Sequence, residues 1–163
     1  QTRESAAYLV VPGFVYQQAT FGDDNPRSSA RSGLTIGVQI RGPQPRSMVL
    51  VFEASFQPHA VENPHYPERF LPLYAQAGAQ IGRGVYVRPS GGVALQTGSI
   101  VPVVGVAIGR EQRFGSKYLA GAELVIRASG SHGLVGWIAG LQVPIGLRPP
   151  TNERARRATL VKD

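Results

Sequence analysis

Few groupings in this chain have the residue types and spacing for chemistry. His59, Glu62 and His65 lie close together, with Tyr66 and Glu68 beside them. Imidazole and carboxylate are metal-ligand types, but this spacing matches no metal motif. Asn63-Pro64-His65-Tyr66 reads as turn chemistry instead. Ser131-His132 joins a hydroxyl to a base, yet no acidic residue stands near to orient the imidazole. Gly82-Arg83-Gly84 and the stretch 105–109 contain glycines but form neither a Walker nor a dinucleotide loop. The chain has no cysteine, which excludes a disulfide scaffold and a cysteine zinc site. The expectation is a protein with no catalytic residue, no metal and no cofactor.

The remaining chemistry-bearing residues are single charges set in apolar segments: Arg41, Glu53, Arg88, Glu123 and Arg127. What positions them is a period-two pattern, since helical periodicity is almost absent. Alternating runs cover 5–18, 33–41, 46–57, 70–81, 85–97, 101–110, 117–129 and 134–147. Pro12-Gly13 is expected to interrupt the first run, and residues 89–92 to bend the fifth. Long polar connections are expected at 19–32 and 58–69, tight turns at 42–45 and 82–84, and a short link at 111–116. Eight antiparallel strands in consecutive hairpins can close into an up-and-down barrel and remove both edges. If strands alternate in direction, both long connections share one end and the tight turns the other. That asymmetry is expected of an outer-membrane barrel.

Within the runs, one face is apolar without interruption. The eighth gives Val135, Trp137, Ala139, Leu141, Val143, Ile145 and Leu147, and the second gives Leu34, Ile36, Val38 and Ile40. The opposite face carries Gly, Gln, Ser and Thr with isolated charges of both signs. A water-facing surface carries many Lys and Glu, and these strands have scarcely any Lys. The charge content of 17% is low as well. The expected arrangement therefore turns the apolar face to lipid. Arg41, Arg88 and Arg127 would then meet Glu53 and Glu123 in a narrow lumen. A soluble barrel with an apolar ligand inside is one alternative. A secreted β-rich subunit that packs its apolar belt on neighbours is the other.

Segments 73–81, 118–126 and 136–143 resemble strands of the small eight-stranded outer-membrane barrels of Gram-negative bacteria, the OmpA/OmpX-like superfamily. The resemblance spans about residues 6–147 and rests on pattern rather than a strict motif. It implies an all-β fold, an eight-stranded antiparallel up-and-down transmembrane β-barrel, without enzymatic activity and with a structural or adhesive role at the cell surface. One departure is the last run, which ends at Leu147 and not at an aromatic residue, and is followed by a basic tail, 148–163. Interfacial aromatic girdles are expected from Tyr8, Phe14, Tyr16, Phe52, Phe56 and Trp137.

A chain that opens at Gln1 without Met reads as an exported protein with its signal peptide removed, here to the outer membrane. The net charge of +7 and pI of about 10.4 call for anionic partners. The basic residues do not interleave with stacking aromatics, so nucleic acid is not expected. Lipopolysaccharide or other outer-membrane lipid is the expected partner of Arg27, Arg31 and Arg69. The tail residues Arg154, Arg156 and Arg157 are candidates for an anionic partner, and a protein partner or self-association is open.

Overall fold

Strict alternation of side chains along a strand lets one ribbon face two environments, and a ring of such ribbons separates an inside from an outside. The computed structural model describes residues 6–21, 27–43, 46–56, 73–82, 84–96, 99–115, 117–131 and 134–148. The strands are β1 (Ala7–Phe21), β2 (Arg27–Arg41), β3 (Arg46–Phe56), β4 (Leu73–Ile81), β5 (Val85–Gln96), β6 (Ser99–Phe114), β7 (Tyr118–Ser131), β8 (Leu134–Gln142) and β9 (Ile145–Leu147). Every neighbouring pair is antiparallel, and β1 pairs with β2 on one edge and with β8 and β9 on the other. The sheet is thus a closed eight-stranded up-and-down barrel, with β8 and β9 as two parts of one final strand.

The break in that strand is Val143-Pro144. Proline has no N–H to give to the ladder. The flanking groups hold the path: Val143 N–H donates to the Pro12 carbonyl at 2.9 Å, and the Pro144 carbonyl accepts from Gly121 N–H at 2.9 Å. Alternation survives the break, because Gln142 and Pro144 are buried while Val143, Ile145 and Leu147 are exposed.

Several strands extend beyond their sequence-read limits. Pro12-Gly13 does not interrupt β1, and β5 runs as one strand through residues 89–92, where a bend is expected. Pro12, Pro89 and Pro102 all point outward, and the strands that hold them are paired on both edges. One missing N–H then removes a single rung. The connection expected at 19–32 is mostly strand, since β1 and β2 stay in register from Ala7↔Arg41 to Phe21↔Arg27. Likewise β6 runs through 111–114 and turns only at Gly115, whose φ of 62° suits glycine. The long connection between β3 and β4 lies outside the described residues.

The two faces of the wall differ completely. Most outward positions are apolar, from Leu34 (65% exposed) through Met48 (70%) to Ile100 (71%), and the exposed polar ones, Ser32, Arg110 and Gln112, lie away from the middle of the wall. Inward positions form layers. Val15, Tyr74, Ala94, Val101, Val103 and Ile138 fill the half nearer the β3–β4 connection. Ala7, Leu9, Val11 and Leu119 fill the opposite end, that of the short β2–β3, β4–β5 and β6–β7 turns. Buried polar and charged side chains are interleaved with these clusters, with Arg41 in register with Ala7 and Gln39 with Leu9. Arg148, expected to open the tail, is instead 2% exposed, and its N–H donates to the Lys117 carbonyl at 2.7 Å. The barrel therefore includes it, and 149–163 lie outside the described residues.

Candidate functional site: the charged lumen and the apolar wall

Alternation sends Gln39 and Arg41 of β2, Glu53 of β3, Tyr86 and Arg88 of β5, Glu111 of β6, and Glu123 and Arg127 of β7 inward. An unpaired charge buried there would cost several kcal/mol, so each must find a partner. Two clusters result.

In the first, Arg127 grips Glu53 with both arms of its fork, Nη1 to Oε1 at 2.6 Å and Nη2 to Oε2 at 2.7 Å. Glu53 also accepts from Gln142 Nε2 at 2.7 Å. The Arg127 guanidinium lies over the Tyr74 ring, 5.1 Å from its centre. In the second, Glu123 accepts from Arg88 Nη2 at 3.0 Å, Tyr86 Oη at 2.7 Å and Gln39 Nε2 at 2.5 Å. Gln39 Oε1 in turn accepts from Arg88 Nη1 at 3.0 Å and from Arg41 Nη2 at 2.7 Å. Arg41 bonds to Glu111, sits 3.8 Å from Glu123 and lies over the Tyr86 ring.

Room for these long side chains comes from glycines at inward positions directly opposite them. Gly37 is in register with Glu53, Gly105 with Arg127, Gly109 with Glu123 and Gly13 with Gln142. A Cβ on Gly109 would stand 2.6 Å from the Tyr86 phenol, and one on Gly13 would stand 2.8 Å from Gln142 Cγ. The small residues of the polar face are the counterpart of the large ones.

The five charged residues singled out in the sequence, Arg41, Glu53, Arg88, Glu123 and Arg127, are all buried and all hydrogen-bonded. Glu111, which the sequence pattern puts in the 111–116 link, belongs to β6. The alternation of β6 continues two residues past Gly109 and turns Glu111 inward, toward Arg41. Of the aromatic set, Tyr8, Phe14, Tyr16, Phe52 and Trp137 point outward, and the Tyr16 and Trp137 rings are 5.6 Å apart. Phe114 and Tyr118, not singled out, are outward as well, in register at the tip of the β6–β7 hairpin. Arg27 and Arg31 belong to strand β2 and not to a loop, and Phe56 ends β3. The side chains of these three lie outside the described residues, as do Arg69, Arg154, Arg156, Arg157, His59, Glu62, His65 and His132.

Chemically, the lumen is a set of braces. Glu53 and Glu123 are each bonded by an arginine, apolar side chains pack among them, and Arg127 Nε and the Gln80 amide have no hydrogen-bond partner among the described residues. The outer wall is the surface available for association.

Two solved structures have this architecture. Neisserial surface protein A (NspA) aligns with a TM-score of 0.57 at 13% identity, over 90% of this chain and 99% of that one. Ail, the attachment invasion locus protein of Yersinia pestis, aligns with a TM-score of 0.52 at 10% identity, over 88% of this chain and 99% of that one. No protein-family model matches the chain, and no curated protein matches it. The fold is that of the small eight-stranded outer-membrane barrels.

Proposed function

We propose that this chain is an outer-membrane β-barrel without enzymatic activity, with a structural and adhesive role at the surface of a Gram-negative cell. One observation carries the reading. Every outward strand position from Ile100 to Ile108 and from Tyr118 to Ala128 is uncharged, while Glu123, Arg127 and their partners are buried inside. Water would penalise so continuous an apolar wall through aggregation. Lipid requires it, because a charge at the midplane costs about 2–4 kcal/mol. The first and third strand connections emerge from the same end and would form the contact surface, with the short turns at the other end facing the periplasm. The name of Ail as an attachment protein supports an adhesive reading, and lipopolysaccharide phosphates suit Arg27, Arg31 and Arg69.

A lumen for an apolar ligand is disfavoured by the arginine and glutamate clusters that fill it. The test is extraction of the full chain with and without detergent, followed by a denaturing gel of boiled and unboiled samples. The expected result is a detergent-requiring protein whose mobility shifts on boiling. A chain freely soluble without detergent overturns the reading, and its mass would then show whether it is a self-assembling secreted subunit.

A further inference from the structure

Among the described side chains, the exposed charges are Arg110, Arg113 and Lys117, and all are cations of the β6–β7 hairpin. The hairpin tip lies at the short-turn end and projects past its neighbour. β5 begins at Val85, opposite Arg110, whereas β6 continues to Phe114, opposite Tyr118. Along the outward face of β6 the character changes at one point. Ile108 is the last apolar residue of the wall, Arg110 and Gln112 follow, and Phe114 ends the strand. Around the rim, Tyr118 is level with Leu147 of β9, and Leu147 with Tyr8 of β1. Phe114, Tyr118, Leu147 and Tyr8 thus form an exposed apolar and aromatic belt beside the cations.

Rings with a polar edge settle at the level of lipid headgroups, and long cationic side chains lay their stems on apolar surface while the charge reaches outward. A guanidinium matches two phosphate oxygens at once. No exposed carboxylate stands among the described side chains to compete for these cations. Charge complementarity therefore selects an anionic lipid over a zwitterionic one.

We propose that the β6–β7 hairpin tip binds the phosphate headgroups of anionic phospholipid, with Arg110 and Lys117 each pairing with lipid phosphate and Phe114 and Tyr118 setting the depth. The proposal rests on the membrane-spanning reading above. Arg113 has an interaction within the chain and takes no part.

The test refolds the full chain into phosphatidylcholine vesicles and into vesicles containing phosphatidylglycerol, and measures urea unfolding from the boiled and unboiled gel mobilities. A basic residue near an anionic surface contributes about fivefold, so the folding constant should rise by roughly tenfold or more with phosphatidylglycerol. The gain should fade at high salt. R110Q/K117Q should lose it, R110K/K117R should keep it, and the tail variant R154Q/R156Q/R157Q should keep it. Retention of the gain in R110Q/K117Q, or its loss only in the tail variant, overturns the proposal. Insertion into both vesicles with no lipid dependence overturns this proposal alone. Failure to insert into either overturns the membrane reading together with it.

Discussion

Arg127 of β7 and Glu53 of β3 lie 74 residues apart in the chain and meet through two parallel hydrogen bonds of 2.6 and 2.7 Å. Their strands are four places apart in a ring of eight, so the pair spans the barrel from one wall to the opposite one. Arg41 and Glu111, on β2 and β6, span it a second time. A ring of hairpins is held only by neighbour-to-neighbour ladders, and these bonds add cross-links between strands that never touch.

Breaking one brace leaves a buried charge with no partner. E53Q is expected to destabilise the barrel by about 3–5 kcal/mol. Removing both charges, as E53L/R127M, should cost far less than the two single changes together, because no charge is then left stranded. Urea unfolding in detergent micelles or vesicles measures both. Additive single-variant costs would show that the pair is not coupled.

The lumen glycines are expected to tolerate little. G109V places methyl groups where the Tyr86 phenol and Glu123 already stand, and overpacking of this kind costs about 1–3 kcal/mol. Restoring space with G109V/Y86A should recover part of the loss, less whatever Glu123 loses as an acceptor of the Tyr86 hydroxyl. Unfolding midpoints of the two variants decide it.

Depth along the wall should grade the cost of a charge. Leu124 and Ile126 lie midway along β7, and Val85 starts β5 at the rim. L124R and I126R are expected to cost about 2–4 kcal/mol in vesicles, and V85R only about 0–1 kcal/mol. Equal costs at the three positions would contradict a lipid-embedded wall.

Trp137 is the one tryptophan of the chain and stands outward against Tyr16. In vesicles its emission is expected to shift to the blue and to be quenched by lipids brominated on their acyl chains. The Y16A variant should retain both effects, since the indole would still face lipid. Emission at the wavelength of a water-exposed indole in the folded protein would place this wall outside the bilayer.

With the lumen filled by layers of apolar side chains and paired charges, the folded chain should show no stepwise conductance in a planar bilayer. Regular steps would mean that these layers part.

The residues alone determine much of this protein. Period-two alternation is a property of the extended backbone, so the strands, their number and the two faces of each can be read from the types of neighbouring residues. The absence of charge from one face, and the single opposite charges on the other, are equally visible in the chain. Strand ends are not, because a proline or a polar run ends an isolated strand but not one held by ladders on both sides. Pro12 and residues 19–21 and 27–32 are the cases in point.

Partnership is decided only by the closed ring. Glu53 meets Arg127 and Gln142 while Glu123 meets Arg88, Tyr86 and Gln39. Nothing in local spacing chooses between those pairings. The register of eight ladders sets the height at which each side chain enters the lumen, and closure brings strands two to four places apart within bonding reach. Closure also decides which face is inside, since alternation by itself is the same pattern whichever way the sheet curls.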